Sequence, residues 1–358
     1  MKKVLLYNIM DDEAAVIKKW VKTHPDVEVH SNKVTLNPDT VDLAKGYDGI
    51  STEQDNLIDD PIVYQKLHEF GIKQITLRIT GYDTIDLDLA TQYQLKVTNV
   101  PAYSPRSVSE MVLTQVMWLL RHLNVAQPRM HAYNFTWDGL QAREIHDLTV
   151  GIIGAGKIGS EVARIFKALG ATVIAADPVH RPELNSVLKY VDHETVYKEA
   201  DIITTHTPLL KSTYHLFNES VFRQMKSSAI FINASRGAVV DTPALIAALK
   251  KHEITAAGLD MIEGEANIFS DDFSETPFEN DYLKTILELP NAIITPHIGF
   301  YTDNAIRNMV EISMKDMLTI IDGSTSEHEL NQTKECDKRP FEADCHTFIL
   351  NITILDVI

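Results

Sequence analysis

Three polar side chains with complementary chemistry stand near the ends of predicted strands in the C-terminal half of the chain. Arg236 follows the apolar run 229–232, and its planar guanidinium can hold a carboxylate through two parallel hydrogen bonds. His297 follows the run 292–295, and its imidazole can donate or accept a proton near neutral pH. A nearby carboxylate would stabilise the imidazolium, and spacing alone does not choose between Glu263 and Glu265. Together these side chains could bind a small carboxylic acid and move one proton on it.

A glycine-rich loop lies between a predicted strand and a predicted helix. The apolar residues 149–153 precede Gly154, Gly156 and Gly159, which have the spacing Gly-x-Gly-x-x-Gly. In this context the first glycine permits a tight turn, the second lets the backbone approach a pyrophosphate, and the third lets the helix pack on the strand. The amides at the N-terminus of that helix attract phosphate oxygens. The loop therefore predicts a dinucleotide site.

A carboxylate follows at the spacing expected for binding the adenosine ribose. Asp177 comes directly after the predicted strand 172–176, 23 residues beyond Gly154, and favours NAD over NADP. His180 and Arg181 are the opposing signal, since they could accommodate a 2′-phosphate. With a dinucleotide present, the arginine, glutamate and histidine predict hydride transfer between a nicotinamide and a 2-hydroxy acid.

The elements that position these residues alternate between strands and helices. The first set predicts strands at 4–7, 49–51, 74–78 and 96–100, with helices at 13–22, 61–70 and 87–93. An apolar helix follows at 107–123, and a second set of about six strands occupies 149–153, 172–176, 202–205, 229–233, 256–259 and 292–295. A last amphipathic helix covers 304–321. This alternation predicts an α/β fold with two doubly wound parallel sheets, of the Rossmann or flavodoxin kind.

Composition narrows the class of protein. The chain has 358 residues, 44% of them apolar, and a formal charge of −17, which disfavours nucleic acid or anionic lipid as a partner. The N-terminal stretch lacks the features of a signal peptide, and no apolar run approaches the roughly 18 residues of a membrane span. The two cysteines, Cys336 and Cys345, support neither a disulfide framework nor a metal site. We expect a cytoplasmic protein without a metal, membrane or nucleic-acid partner.

The motifs of this chain resemble the D-isomer-specific 2-hydroxyacid dehydrogenase family, and within it the D-lactate and D-hydroxyisocaproate dehydrogenases of lactic acid bacteria. The resemblance covers residues 1–323 and rests on the segments 154–159, 235–237, 260–265 and 295–297. It implies that Arg236, Glu265 and His297 are catalytic, which selects Glu265 over Glu263. It also implies reduction of a 2-keto acid by NADH to the D-2-hydroxy acid, with His297 as proton donor, and we expect a homodimer.

The resemblance also implies further cofactor contacts and a domain arrangement. The additional contacts with NAD are expected from Lys157, Ile158, Thr207, Pro208, Ala234, Ser235 and Asp260. The substrate domain is expected at 1–100 and 300–335, with the NAD-binding domain inserted at 101–299. The chain then passes twice between the two domains, and these two connections form a hinge. The tail at 336–358 is interpreted as an appendage without catalytic function. The alternative interpretation is that it docks on a partner subunit.

The predicted substrate pocket departs from what similar enzymes carry. Backbone amides at Thr80 and Gly81 are expected to bind the substrate carboxylate, with Tyr103 and Phe300 as pocket walls. Glu53 stands where similar lactate enzymes place a tyrosine and hydroxyisocaproate enzymes a leucine. Because a carboxylate is a poor neighbour for a small apolar substituent, the sequence leaves open which 2-keto acid is preferred.

Two other classes of function are compatible with a dinucleotide loop. An NAD-binding regulator, resembling the transcriptional corepressors that share this fold, would need no catalytic set, whereas this chain has a complete one. Phosphoglycerate, glyoxylate and formate dehydrogenases of the same superfamily are the enzyme alternatives. Formate oxidation needs no proton relay and usually pairs the histidine with glutamine, so Glu265 argues against it.

Overall fold

The computed structural model describes residues 1–331 except residues 55, 266, 267 and 270. Within this part the named strands form one sheet of five strands and one of seven, and all their ladders are parallel. The predicted fold class, α/β with two doubly wound parallel sheets, is confirmed. The predicted tail at 336–358 lies outside the described residues.

The first sheet is built from the N-terminal third of the chain. Its strands are β1 (Lys2–Tyr7), β2 (Val27–Ser31), β3 (Gly49–Thr52), β4 (Gln74–Leu77) and β5 (Lys96–Thr98), in the order β2-β1-β3-β4-β5. Its helices are α1 (Glu13–Thr23), α2 (Pro61–Glu69) and α3 (Leu87–Gln92). Along β1, Leu5 and Tyr7 enter one core while Val4 and Leu6 enter the core on the other face. Burial on both faces explains why these strands read as continuous apolar runs.

The second sheet follows from residue 149 onward. Its strands are β6 (Thr149–Ile153), β7 (Thr172–Ala176), β8 (Lys189–Tyr190), β9 (Ile202–Thr205), β10 (Ile230–Asn233), β11 (Ala256–Leu259) and β12 (Ala292–Ile294). The order is β12-β11-β10-β9-β6-β7-β8, which reverses direction between β6 and β9. The remaining helices are α4 (Pro105–Leu120), α5 (Leu123–His131), α6 (Lys157–Ala168), α7 (His193–Glu199), α8 (Glu219–Phe222), α9 (Thr242–Lys250), α10 (Asp281–Glu288) and α11 (Asp303–Ile321). A crevice at such a switch point is where open α/β sheets bind ligands.

The strands that our predictions omitted, β2 and β8, both lie at a sheet edge. The outer residues of β2, from Glu28 to Ser31, are half-exposed or exposed, so the apolar pattern is weak. β8 has two residues, too few to show a period. The second sheet therefore has seven strands where we predicted about six.

The last helix returns to the first sheet. Val310, Met314 and Met317 of α11 pack with Val4 and Leu6 of β1 in one buried cluster. The helix α4, which follows the last strand of the first sheet, packs instead against the second sheet, in a cluster that contains Val112, Val150 and Ile232. The chain thus crosses between the two sheets twice, while the domain limits at 100/101 and 299/300 stay predictions.

The predicted helix at 107–123 was too long at its C-terminal end. α4 ends at Leu120, and His122 has a φ of 52° in the left-handed region, which interrupts the helix before α5 begins. The apolar residues continue across this break, so a periodic pattern alone did not reveal it. No helix within the described residues is long and apolar enough to cross a membrane.

Candidate active site

The glycine loop has the geometry that a bound pyrophosphate requires. Gly154 has a φ of 92°, and a Cβ there would lie 2.8 Å from the carbonyl oxygen of His206. A Cβ on Gly159 would lie 2.0 Å from the carbonyl oxygen of Gly154, so the helix packs directly on the loop. Gly156, the N-cap of α6, has no atom within 4 Å of its Cβ position, which leaves open space above the helix N-terminus. The loop therefore fits a dinucleotide phosphate held by backbone amides.

Asp177 lies beside this loop and is tied to it. Its two carboxylate oxygens accept hydrogen bonds from the amides of Ala155 and Val179, both at 2.7 Å. Arg181 donates to the carbonyl oxygen of Ala155 at 3.1 Å and lies 3.5 Å from Asp177. His180 stacks on Tyr190 instead. The acid and the loop thus form one surface at the carboxyl ends of β6 and β7.

The further residues expected to contact the cofactor follow β9 and β10 or begin α6, and Thr207 among them lies beside the glycine loop. A Cβ on Gly154 would lie 3.3 Å from the side chain of Thr207, which precedes Pro208 just after β9. Ala234 is buried after β10, and the Ser235 amide donates to the Asn233 side chain at 3.1 Å. Lys157 and Ile158 open α6, where first-turn amides have no partner within the helix.

The structure brings His297 and Glu265 into direct contact. His297 Nδ1 lies 2.9 Å from Glu265 Oε1, and the other oxygen of Glu265 accepts from the Ile262 amide at 2.6 Å. The His297 backbone has a φ of 54°, and its amide donates to the carbonyl of Asp260 at 2.9 Å. The imidazole remains 41% exposed, so its other nitrogen is open to a ligand.

Glu263 lies next to a different histidine. Its Oε1 is 3.0 Å from His215 Nε2 and 3.4 Å from the Tyr214 hydroxyl. Gly264 between the two glutamates has a φ of 79°, which turns the chain so that the carboxylates diverge. The geometry therefore supports Glu265, and not Glu263, as the partner of the His297 imidazole.

Arg236 approaches the loop that follows β4. A Cβ on Gly81 would lie 2.2 Å from Arg236 Nη2, and the Asp83 carboxylate is 3.6 Å from the same nitrogen. The Thr80 carbonyl accepts from Asn99 at 2.5 Å and its hydroxyl donates to Val100, which fixes the loop. Within the described residues, no group accepts a hydrogen bond from the amides of Thr80 or Gly81. Two free amides beside a guanidinium make a site for a carboxylate.

Aromatic rings join this anion site to the imidazole. Phe300 lies edge-on to Tyr103, with ring centroids 6.0 Å apart, and edge-on to His297 at 6.1 Å. Burial raises the pKa of Tyr103 to about 12, so its hydroxyl stays protonated at neutral pH. Glu53 is 9% exposed, and its charge acts on Tyr103 in the same direction. The predicted pocket residues thus share one region.

Asp260 has a structural role that the sequence did not reveal. One of its oxygens accepts from the Thr295 hydroxyl at 2.5 Å and the Ile298 amide at 3.1 Å, and the other from the Gly299 amide at 2.7 Å. This buried carboxylate therefore fastens the end of β11 to the loop that carries His297. A threonine before Pro296 was the available signal, since its hydroxyl can satisfy a buried acid.

A second histidine near the cofactor loop, His206, is unsuited to proton transfer. It follows β9, and burial lowers its pKa to about 3, so it is neutral at ordinary pH. Its Nε2 lies 3.0 Å from the Thr204 hydroxyl. His297, in contrast, has an exposed imidazole that pairs with the carboxylate of Glu265.

A dinucleotide loop and an acid–base pair that follow strands of one parallel sheet, together with an anion site, define the class of nucleotide-dependent oxidoreductases. Residues 113–299 match the family model for the NAD-binding domain of D-isomer-specific 2-hydroxyacid dehydrogenases. The chain belongs to the D-isomer-specific 2-hydroxyacid dehydrogenase family. It is an NAD-dependent oxidoreductase, as the sequence predicted.

Curated relatives and solved structures span nearly the same length as this chain. A D-2-hydroxyacid dehydrogenase (NAD(+)) of Clostridioides difficile is 39% identical over 331 residues, which is 92% of this chain and 100% of the relative. A D-lactate dehydrogenase structure from Sporolactobacillus sp. is 50% identical with a TM-score of 0.80, covering 92% of this chain and 99% of that one. The NAD-complexed D-isomer-specific 2-hydroxyacid dehydrogenase of Lactobacillus delbrueckii ssp. bulgaricus is 45% identical with a TM-score of 0.83, covering 92% and 100%. The predicted cofactor, NAD, is thereby confirmed.

Proposed function

We propose that this protein reduces a small 2-keto acid to the D-2-hydroxy acid, with His297 as the proton donor. The contact that supports this proposal is the 2.9 Å pairing of His297 with Glu265, which lies in the same cleft as Arg236. When bound, NADH supplies the hydride that reaches the carbonyl carbon. The carbonyl oxygen takes the proton from the imidazole, so one hydride and one proton account for the reduction.

Each of the three side chains has a separate task in this proposal. Arg236, with the amides of Thr80 and Gly81, holds the substrate carboxylate and so fixes which face of the carbonyl is presented. His297 delivers the proton, and Glu265 keeps the ring oriented and stabilises its positive charge. Closure of the cleft between the two sheets excludes water. This strengthens the binding of the carboxylate by Arg236 and the pairing of His297 with Glu265.

The substrate class in this proposal is supported by the residues around the candidate site and by the relatives. The relatives include a D-lactate dehydrogenase and a D-lactate/D-glycerate dehydrogenase. We propose that the substrate of this chain is pyruvate or a larger analogue, and that Glu53, Tyr103 and Phe300 surround the side chain of the substrate.

A panel of 2-keto acids tests this function. NADH oxidation is measured with pyruvate, hydroxypyruvate, phenylpyruvate and 2-ketoisocaproate, and the product is analysed on a chiral column. We expect turnover with at least one acid and only the D-product. The L-product, or no turnover with any acid, would contradict the proposal, and the second result would favour an NAD-binding regulator.

Replacing Asp177 with alanine should narrow the preference for NADH over NADPH about tenfold. The carboxylate lies at the ribose end of the site and repels a 2′-phosphate, while Arg181 next to it would then be free to pair with that phosphate. Dissociation constants for both nucleotides, measured by fluorescence without substrate, give the ratio. Asp192→Ala, which removes an exposed carboxylate at the N-cap of α7, is the control. An unchanged ratio in Asp177→Ala would show that the ribose is held by other groups.

The proposal includes a homodimer formed through an arm, which we define as residues 123–140. Within the arm, α5 has no buried residue, and the side chains of Tyr133 and Trp137 are 83% and 88% exposed. The charged residues of the arm are Arg129 and Asp138, so it has no net formal charge although the whole chain has a charge of −17. Exposed aromatic rings without net charge offer a second copy an apolar surface that the acidic body does not repel.

Serine substitution of Tyr133, Phe135 and Trp137 together should shift this dimer toward monomer. Sedimentation equilibrium should give about twice 40.3 kDa for the original chain and about 40.3 kDa for the variant at micromolar concentration. Tyr282→Ser removes a half-exposed aromatic ring on α10 and should leave the mass unchanged. A monomeric original chain, or a triple variant that stays fully dimeric, would reject the arm as the interface.

A further inference from the structure

A fully buried ion pair lies at the cleft end of the first sheet. Arg78 and Glu13 are both 0% exposed, with Nε 2.8 Å from Oε1 and Nη2 3.2 Å from Oε2. The cost of removing two charges from water largely cancels their attraction, so such a pair contributes little net stability compared with apolar residues of the same volume. A role in fixing the local conformation is the alternative that the remaining contacts of Arg78 support.

The other donors of Arg78 link the carboxyl ends of three strands. Nη2 donates to the carbonyl oxygens of Tyr7 and Asn8 after β1, at 2.8 and 2.9 Å, and Nη1 to the Ser51 hydroxyl in β3 at 3.4 Å. Glu13, the partner carboxylate, is the first residue of α1 and also accepts from the Met10 amide at 2.9 Å. One guanidinium thus connects β1, β3, β4 and the start of α1.

Two parts of the candidate substrate site are attached to this connection. The chain passes directly from Arg78 to Thr80 and Gly81, whose amides face the incoming carboxylate. Asn8, held by Arg78, donates through its side chain to the backbone carbonyl of Glu53 at 3.2 Å. Because the Cβ position of Gly81 is only 2.2 Å from Arg236, a small displacement of this loop changes the space left for a ligand.

We propose that Arg78 is a positioning residue for the carboxylate of the 2-keto acid. This inference rests on the proposed function, because it assumes that the loop of Thr80 and Gly81 binds that carboxylate. Arg78 is buried away from the cleft, and it acts by holding the loop against β1 and β3. The fork of the guanidinium is essential to this role, since a lysine amine at the same place cannot reach Glu13, Tyr7, Asn8 and Ser51 together.

The Arg78→Lys variant tests the proposal because it keeps the positive charge and removes the planar guanidinium with its several N–H donors. We expect KM for the 2-keto acid, and the inhibition constant of oxamate as an unreactive isostere of pyruvate, to rise at least about fivefold. The value of kcat should stay within about threefold and the NADH dissociation constant within about twofold, since the second sheet is not altered. Glu13→Gln, which keeps the shape of the side chain, is expected to act in the same direction and serves as the second variant if Arg78→Lys does not fold.

A control separates positioning from general loss of stability. Asp316→Asn disrupts another buried acid that packs on the first sheet, where Asp316 accepts from Ser326 at 2.9 Å and pairs with His328 at 2.8 Å. At a comparable decrease in Tm, this control should leave KM and the oxamate constant unchanged. An unaltered KM in folded Arg78→Lys or Glu13→Gln, or an equal rise in Asp316→Asn, would overturn the inference. Absence of 2-keto acid turnover in the original chain would instead reject the proposed function.

Discussion

Replacing His297 with glutamine should lower kcat for 2-keto acid reduction by at least about two orders of magnitude, the usual size of a lost general acid. Glutamine is similar in size and can still form a hydrogen bond to Glu265, but it cannot deliver a proton to the substrate oxygen. NADH affinity should be nearly unchanged, because the described contacts of the imidazole are with Glu265 and Phe300 and not with the glycine loop or Asp177. Steady-state kinetics and a nucleotide titration measure the two quantities.

The control for this substitution is His30→Gln, which alters an exposed histidine on the edge strand β2. It should retain the kinetic constants of the original chain. If kcat of His297→Gln stayed within about threefold of the original value, His297 would not be the proton donor. A decrease in NADH affinity that matches the decrease in kcat would also contradict a specific role in proton transfer.

The second large effect is expected at Glu265, for which the chain provides its own matched control. Glu265→Gln replaces a charge-assisted hydrogen bond to His297, worth about 1.5 to 3 kcal/mol, by a neutral one worth about 0.5 to 1.5 kcal/mol, which is a loss of about 1 to 1.5 kcal/mol. Since about 1.4 kcal/mol is a factor of ten in rate, kcat/KM should fall by about 5- to 10-fold. Glu263→Gln, two residues earlier on the same loop, should change kcat/KM by less than about threefold, because that carboxylate faces His215.

The comparison of these two variants separates charge from loop structure. Both substitutions preserve the size of the side chain, and the two residues stand on either side of Gly264. Equal losses would show that the conformation of the loop, and not the carboxylate on His297, determines the rate. A larger loss in Glu263→Gln would show that the His215 pair has the role that we propose for Glu265.

The candidate site depends on contacts between groups from both sheets. Arg236 follows β10 of the second sheet, whereas Gly81, against which its guanidinium lies, follows β4 of the first. Tyr103 and Phe300 meet near the two crossings of the chain. Each half therefore supplies part of the candidate site, and under our proposal closure between the two halves governs both substrate binding and water exclusion.

The sequence by itself determined the elements whose residues are buried on both sides. The strands β6, β7, β9 and β11 have the predicted limits, because a parallel strand between two layers of helices must be apolar throughout. The glycine loop was equally readable, since the turn at Gly154 and the close packing at Gly159 each exclude a side chain. The cofactor class follows from those local requirements.

The tertiary structure decided whatever depends on residues that are distant in sequence or that point in different directions from one loop. Spacing could not separate Glu263 from Glu265, because the turn at Gly264 sends them to different histidines. The edge strands β2 and β8 and the helix α5 lacked a buried face on which a pattern could depend. Arg78 and Glu13 are 65 positions apart, and their pairing exists only once β4 and α1 lie side by side. A local sequence pattern indicates which side chains are buried. Which residues those side chains contact depends on how the whole chain packs.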